Sequence, residues 1–294
     1  MTRSTKTLDS TISSLIVEQG DQKFVERLDP SVLPKGVTKD TTQNKVESIK
    51  LEIELLQSKL WAQSTESLLV VLQGLDTAGK DSTIRRVFEG VNPQGVEVHS
   101  FKVPSAEESA HDFLWRAHKV TPKTGMITIF NRSYYEDLLV PLATNSLPDS
   151  TIKRRVDSVL DFESHLATNG VHILKFYLSI SDKEQDKRLL ERLDMEDKNW
   201  KFSASDLTTR RNRKAYKSAY HKTISETSTN LAPWYVVPSD HRWYRDFVVL
   251  AVVLKKMREM NPHFPKAQRE TITLMREELK TIEKRRASKP AIFE

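Results

Sequence analysis

Cysteine is absent from this 294-residue sequence, and long apolar runs are absent as well. Without cysteine there is neither a disulfide framework nor a cysteine-ligated metal site, which fits a reducing compartment. A membrane-spanning helix needs roughly 20 predominantly apolar residues, and no segment approaches that length. The apolar stretch at residues 14–17 is too short for a secretory signal peptide. We therefore expect a cytoplasmic protein without a membrane partner.

Acidic residues are outnumbered by basic ones, 40 against 46, which gives a formal net charge of +6. A basic protein suits a polyanionic partner such as nucleic acid, a membrane surface or polyphosphate. The excess is concentrated in residues 198–222, where eight residues are Lys or Arg and only Asp206 is acidic. Aromatic side chains are sparse there, so a nucleic-acid partner is not expected.

Short apolar runs alternate along the chain with longer segments of helical periodicity. The runs predict five strands, at residues 68–73, 96–101, 126–130, 172–179 and 234–238. Strands that alternate with helices form mostly parallel sheets that are covered by helices on both faces. The expected fold class is therefore α/β, with three layers and a five-stranded sheet.

The helical segments complete one predicted domain over residues 1–294. They cover residues 43–61, 79–91, 149–168, 182–193, about 205–227, about 240–260 and about 266–286. A further helix is predicted to start at Ser105 and to carry Asp112, Trp115 and Arg116. The predicted caps are Ser105, Asp149, Ser203 or Ser205, and Ser239 or Asp240. We expect an N-terminal arm (1–42), a basic helical lid (about 183–222) and a C-terminal helix and tail (266–294).

Residues 68–82 have the sequence LLVVLQGLDTAGKDS, which combines a buried strand, a glycine loop and the start of a helix. Gly74, Gly79 and Lys80 match the G-x-x-x-x-G-K spacing of a phosphate-binding loop. In such a loop the backbone N–H groups and the helix N-terminus surround the anion, and the lysine reaches the outer phosphates. The predicted phosphate-binding residues are Gly74, Thr77, Ala78, Gly79, Lys80, Asp81 and Ser82.

Two acids distinguish this loop from the common motif. Asp81 occupies the position of the Ser or Thr that usually contacts Mg²⁺, and Ser82 follows one residue later. Asp76 lies inside the loop, where a carboxylate beside phosphate is unfavourable unless a divalent cation lies between them. We interpret Asp76 as a metal-binding or catalytic residue. The alternative is a simple glycine turn, with Asp81 as an early-helix acid that the helix dipole favours.

The third predicted strand leads into FNRSYYEDLLV, residues 130–140. It should lie beside the first strand, so that its carboxyl end faces the phosphate loop. Arg132 is suited to bidentate binding of phosphate oxygens, and Glu136 or Asp137 could hold Mg²⁺. Lys102, after the second strand, could also meet phosphate. An ordinary helix N-terminus with dipole-complementing acids is the alternative.

Taken together, these segments resemble the polyphosphate kinase 2 family. The motifs that carry the resemblance are GLDTAGKDS (74–82), FKVPSAEESAHDFLWR (101–116), FNRSYYEDLLV (130–140) and RLLERLDMEDKNWKFSASDLTTRR (188–211). In this family an Asp after the loop lysine is normal. The resemblance implies a P-loop kinase fold similar to thymidylate kinase, a helical lid, and Mg²⁺-dependent phosphoryl transfer between inorganic polyphosphate and nucleotides.

The resemblance also implies roles for single residues. The implied catalytic residues are Asp76, Lys80, Arg132 and Glu136, with Asp76 and Glu136 as ligands of Mg²⁺ or, alternatively, Mn²⁺. The implied polyphosphate-binding residues of the lid are Arg188, Arg192, Lys198 and Lys201, in addition to Arg132. The implied nucleotide-binding residues are Asp76, Lys102, Arg132, Ser133, Glu136 and Asp137. Asn131 stands where many members have Asp, and FNRS…YED resembles the class III members, which phosphorylate both AMP and ADP.

The expected function is reversible transfer of the terminal phosphate of polyphosphate to AMP and ADP. Polyphosphate, AMP, ADP and ATP are the expected partners, in a homodimer or homotetramer. The alternatives are an enzyme restricted to AMP or to ADP, an ATP-dependent nucleotide kinase on the same fold, and a P-loop module that binds nucleic acid. The ATP-dependent kinase would carry Ser or Thr at the position of Asp81, and the binding module would show salt-dependent binding without turnover.

Overall fold

The structure is a computed structural model that describes residues 12–196 and 204–287. Within these residues one sheet has the strand order β2-β3-β1-β4-β5, and all neighbouring strands are parallel. The strands are β1 (Ser67–Gln73), β2 (Val96–Ser100), β3 (Ile127–Asn131), β4 (Val171–Ser179) and β5 (Trp234–Pro238). The predicted five-stranded parallel sheet is therefore confirmed.

β1 occupies the centre of the sheet. All seven of its residues are buried, and Val70 pairs with Ile129 of β3 on one side and with Leu174 of β4 on the other. A parallel strand that is covered on both faces has no solvent-facing positions, which is why its sequence is a continuous apolar run. The prediction that β3 lies beside β1 is confirmed.

Helices cover the two faces of the sheet. Those described are α1 (Phe24–Arg27), α2 (Lys39–Gln63), α3 (Lys80–Val87), α4 (Ala106–Ala110), α5 (Trp115–His118), α6 (Glu136–Thr144), α7 (Asp149–Thr168), α8 (Asp182–Leu193), α9 (Ala204–Arg211), α10 (Arg213–Thr227), α11 (Arg242–Met260) and α12 (Arg269–Ala287). α11 contacts α2 and α3, whereas α6, α7 and α10 contact one another. None of the helices described combines the length and apolarity needed to cross a membrane.

The segment before β1 packs on the domain. Leu15, Val17 and Val25 are buried, and the residue at position 16 forms an antiparallel bridge with Tyr235 of β5. α2 begins at Lys39, earlier than predicted, because Thr38 and Thr41 form a capping box. The apolar face of α2 is buried in the core, through Ile49, Ile53 and Leu60.

The helix predicted at 79–91 ends at Val87, and two other predicted helices are divided in the structure. The helix that Ser105 caps ends at Ala110, so Asp112, Trp115 and Arg116 do not belong to it. The Asp112 carboxylate accepts a hydrogen bond from the Leu114 N–H at 2.9 Å and starts a separate turn. The helix predicted to run to residue 227 is interrupted at Asn212, between α9 and α10.

The predicted caps of α7 and α11 are also wrong. Asp149 is the first residue of α7 and not its cap, and Ser205 lies within α9, whereas Ser203 lies outside the described residues. α11 is preceded by His241 as its cap residue. The Asp240 carboxylate instead accepts from the Ser181 N–H at 2.9 Å.

Candidate active site

The candidate site lies where β1 and β3 end side by side. Leu72 of β1 pairs with Asn131 of β3, so the glycine loop after β1 and the polar segment after β3 leave the sheet at the same edge. Three loop residues have positive φ angles: Gly74 (155°), Thr77 (65°) and Gly79 (107°). Such an angle is strained for a β-branched residue, so the surroundings must hold Thr77 in place.

Lys80 is the first residue of α3 and is buried. Its Nζ donates to the carbonyl oxygens of Gly74 at 2.7 Å and Leu75 at 3.3 Å. The pKa of Lys80 is lowered to about 8, chiefly by burial and also by the charge of Arg132, while the carboxylates of Asp76, Glu136 and Asp81 oppose the shift. The lysine therefore shares one electrostatic environment with the other predicted catalytic side chains.

Arg132 links the two segments at the site. Its Nη2 donates to Asp76 Oδ1 at 2.7 Å, and its backbone N–H continues the sheet by donating to Leu72 at 3.0 Å. A φ of 61° then turns the chain out of the strand. Burial opposes the charge of the guanidinium, but the carboxylates of Glu136 and Asp76 outweigh it and raise the pKa of Arg132.

Glu136 begins α6 and is half-buried. Burial raises the pKa of its carboxyl group, whereas Arg132, Lys80 and a hydrogen bond with Gln73 oppose the rise. Asp76 also raises it by repulsion. The structure therefore brings together the four predicted catalytic residues, and the two carboxyl groups lie near two cations.

A buried polar network holds the chain immediately before Glu136. The hydroxyl groups of Tyr134 and Tyr135 both donate to Glu163 Oε1 at 2.8 Å. Lys175 of β4 donates to Glu163 Oε2 at 2.6 Å and to the Thr227 carbonyl at 2.7 Å. Because each buried charge is paired and hydrogen-bonded, this network fixes the entry to α6 without an uncompensated charge.

Asn131 and the two polar residues that follow Lys80 form contacts around the first turn of α3. Asn131 Nδ2 donates to Asp81 Oδ1 at 2.8 Å. Ser82 Oγ donates to the Gly79 carbonyl at 2.8 Å. Asn131 therefore hydrogen-bonds to one of the two acids of the loop.

Three predicted nucleotide-binding residues are engaged elsewhere or exposed. Ser133 is buried, and its Oγ accepts from Gln73 Nε2 at 3.1 Å. Asp137 forms an ion pair with the buried Arg116 at 2.8 Å. The side chain of Lys102 is exposed, and its carbonyl accepts from the same arginine at 2.9 Å. That these three residues bind the nucleotide stays a prediction.

Arg188 is also placed differently from the prediction. Only 5% of its surface is exposed, and its N–H groups are directed beneath the loop. They donate, at distances between 2.7 and 3.3 Å, to Glu184 Oε1 and to the carbonyl oxygens of Thr77, Ala78, Ser239 and Asp240. All five donors of the guanidinium are thus used by the protein, so the prediction that it binds phosphate is not supported.

The rest of the predicted lid is only partly described. Arg192 lies in the last turn of α8 and is half-buried, whereas Lys198 and Lys201 lie outside the described residues. Several later cations are paired with acids of α8. Arg210 and Arg213 contact Asp186 at 2.9 and 3.0 Å, and Lys217 contacts Asp182 at 2.6 Å.

The sequence interpretation missed Arg245. This fully buried residue of α11 donates to the Ala78 carbonyl and to Ser82 Oγ, both at 3.0 Å. A Cβ atom on Gly79 would lie 1.8 Å from its Nη1, so the approach of Arg245 requires glycine there. The signal was the Arg245-Asp246 pair directly before the apolar run at residues 247–254 of α11, because buried charges need partners.

The chemistry of Asp76 and Glu136 fits a magnesium ion that arrives with phosphate. Mg²⁺ is usually held by one or two carboxylates together with substrate phosphates and water. In the part of the chain that the structure describes, no group of three or more His, Asp or Glu side chains forms a complete metal cage. The two carboxylates therefore suit a site that substrate oxygens complete.

A central parallel strand that leads through a glycine loop and a lysine into a helix defines a P-loop kinase fold. The sequence matches the family model described as Polyphosphate kinase 2 (PPK2) over residues 36–265. The chain belongs to the polyphosphate kinase 2 family, and the predicted family is confirmed.

Several relatives are similar over most of their length. The AMP/ADP-polyphosphate phosphotransferase of Meiothermus ruber is 42% identical, over 85% of this chain and 94% of the relative. The ADP-polyphosphate phosphotransferase of Rhodopseudomonas palustris is 39% identical, over 87% of this chain and 93% of the relative. The crystal structure of polyphosphate kinase 2 from Arthrobacter aurescens TC1 matches with a TM-score of 0.84 and 36% identity, over 90% of this chain and 95% of that one.

Proposed function

We propose that this protein transfers the terminal phosphate of inorganic polyphosphate to AMP and ADP, reversibly and with Mg²⁺. The observation that carries the proposal is the meeting of Asp76, Lys80, Arg132 and Glu136 at the mouth of the loop, with the Asp76–Arg132 ion pair at 2.7 Å. The names of the Meiothermus ruber and Rhodopseudomonas palustris relatives support both acceptors, the first AMP and ADP, the second ADP.

The protein contributes positioning and charge rather than a covalent intermediate. Lys80 and the loop N–H groups bind phosphate oxygens, and Arg132 exchanges the Asp76 carboxylate for phosphate. A terminal phosphate oxygen of the acceptor attacks the end phosphorus of the polymer. The new P–O bond forms as the anhydride bond behind it breaks, and the shortened polymer leaves with the bonding electron pair.

Asp76 and Glu136 would hold the metal ion. Bound Mg²⁺ would neutralise charge on the phosphate oxygens, which repel an incoming anion. Asp76 Oδ1 accepts a hydrogen bond from Arg132, and burial raises the pKa of Glu136. A cation beside Glu136 would favour its charged form.

A cytoplasmic location and a homodimer or homotetramer complete the proposal. The nucleotide substrates support the location. The apolar face of α2 at Ile49, Ile53 and Leu60 is buried in the chain's own core, so it does not support association. Leu51 and Leu55, one turn apart on the outer side of α2, are 68% and 49% exposed, and they support association instead. Light scattering on the purified protein tests the assembly.

One assay separates the candidate functions. The protein is incubated with polyphosphate and either AMP or ADP, with Mg²⁺, with Mn²⁺, or with a chelator, and products are separated by chromatography. We expect ADP from AMP and ATP from ADP, and no product with the chelator. Product with ATP as the donor to AMP but none with polyphosphate would identify an ATP-dependent kinase. Salt-dependent nucleic-acid binding without turnover would identify a binding module.

A further inference from the structure

Three successive carbonyl groups of the phosphate loop are held from below by side chains. Gln185 Nε2 donates to the Asp76 carbonyl at 3.2 Å. Arg188 Nη1 donates to the next two carbonyls, at 3.2 and 3.3 Å, and Arg245 Nη1 donates to the carbonyl of Ala78 at 3.0 Å. Gln185, Arg188 and Arg245 form what we call the loop brace.

The brace determines the direction of the loop N–H groups. In a trans peptide the C=O and the following N–H point in opposite directions. Holding the Asp76 and Ala78 carbonyls beneath the loop therefore turns the N–H groups of Thr77 and Gly79 to the opposite side. The intervening N–H, of Ala78, donates to the Leu75 carbonyl at 3.1 Å and closes the turn.

The brace also accounts for the strained backbone of the loop. Thr77 has a φ of 65°, and its Oγ1 contacts the Gln185 carbonyl at 3.5 Å. Strain of this kind persists only where surrounding contacts determine the conformation. The three brace residues are no more than 5% exposed, so water does not compete for their donors.

α8 is therefore anchored at its base. Arg188 Nη2 donates to the carbonyls of Ser239 and Asp240, which follow β5, at 2.7 and 2.8 Å. The same guanidinium thus joins the loop, α8 and the end of β5. The first turns of α8 are therefore bonded to the phosphate loop and to the end of β5, although the sequence analysis assigned them to the lid.

We propose that Gln185, Arg188 and Arg245 are positioning residues, which aim the N–H groups of Thr77 and Gly79 at the bound phosphate chain. The inference rests on the proposed function only in taking a phosphate chain as the ligand of the loop. It assigns to Arg188 the shaping of the loop in place of contact with substrate.

The test compares Arg245→Lys with Arg242→Lys in the full chain. Both residues lie on α11, but the Arg242 side chain donates to Glu191 Oε2 at 2.7 Å and not to a loop carbonyl. Lysine lacks the planar fork, so it cannot hold the Ala78 carbonyl, Ser82 and Asp246 at once. Inorganic tripolyphosphate is added to isotope-labelled protein while the amide resonances of Thr77 and Gly79 are followed by NMR, and turnover is measured separately.

In the unaltered protein and in Arg242→Lys, tripolyphosphate should shift both amide resonances. In Arg245→Lys the Gly79 response should be lost, and kcat should fall about 100-fold, while KM for AMP changes less than about twofold. Gln185→Met, a milder change, should remove the Thr77 response and leave that of Gly79. This residue-by-residue pattern would not follow from a general loss of stability.

If Arg245→Lys does not fold, the amide responses and kcat of Gln185→Met test the proposal on their own. Unaltered responses and unaltered kcat in both variants would overturn the brace while leaving the proposed function intact. Normal amide responses in a protein that transfers no phosphate to AMP or ADP would support the brace and overturn the proposed function.

Discussion

Above the phosphate loop, Arg132 has a side chain that is 39% exposed, and its Nη2 is paired with one carboxylate oxygen. Below the loop, Arg188 is 5% exposed and donates to five protein acceptors. The upper guanidinium has a partner that phosphate can replace, whereas the lower one is committed to the backbone. Whether an arginine is available to phosphate therefore depends on how many protein partners it has and how deeply it is buried, and not on residue type alone.

The largest expected effect comes from the upper side. Asp76→Asn keeps an oxygen for Arg132 but removes the negative charge that a metal ion needs. Phosphate transfer should be abolished, with a loss of at least about 1,000-fold in kcat, while binding of polyphosphate is largely retained. Initial rates and calorimetric titration measure the two quantities.

The control for this prediction is Asp157→Asn, at an exposed position of α7. It should leave both quantities unchanged. Normal turnover in Asp76→Asn would show that Asp76 has no catalytic role. The functional contrast between Arg132, which pairs with Asp76, and Arg188 would then be weaker.

A smaller effect should appear as a pH dependence. The pKa of Lys80 is lowered to about 8 by burial, so the lysine loses its proton as the pH rises through 8. Phosphate favours the charged form, and tripolyphosphate binding should therefore weaken about tenfold between pH 7 and pH 9. Calorimetry in buffers of different ionisation enthalpy should also detect proton uptake on binding above pH 8.

Lys80→Arg provides the comparison, because arginine stays charged throughout this range. Its binding should vary little with pH. An equal pH dependence of tripolyphosphate binding in both proteins would show that a group other than Lys80 titrates.

The smallest effect is expected for an exposed arginine. Arg210 of α9 pairs with Asp186 at 2.9 Å, with side chains that are 45% and 33% exposed. Water and salt screen such a pair, so Arg210→Gln should lower the free energy of unfolding by less than about 1 kcal/mol. Denaturant unfolding tests this. A decrease of several kcal/mol in the free energy of unfolding would show that the Arg210–Asp186 pair stabilises the fold as strongly as a buried ion pair.

Much of the fold follows from local patterns in the sequence. β1 is apolar because both of its faces are covered, and the spacing from Gly74 to Lys80 specifies the loop. Helix ends are less predictable where a side chain competes with the backbone, as Asp112 does after Ala110. Patterns of apolar residues do not reveal such local competition.

The roles of charged residues depend on distant partners. Asp137 follows Glu136 directly, yet it pairs with Arg116, which lies on another helix. Arg188 and Arg192 are equally basic in the sequence, but the contacts of Arg188 with the backbone after β5 arise only when the sheet is assembled. Motif matching therefore located the candidate site but could not distinguish an arginine paired with a carboxylate from an arginine bonded to the loop backbone.

The position of Arg188 also bears on how a polymer is consumed. Because the guanidinium joins the loop to the end of β5, we expect the proposed brace to hold the loop in the same form with and without bound phosphate. A donor that loses one unit at each turnover then presents each new end to the same rigid surface. Under the proposed function, the loop would not need to refold between rounds, and the enzyme would shorten a long chain repeatedly with a site that is formed in advance.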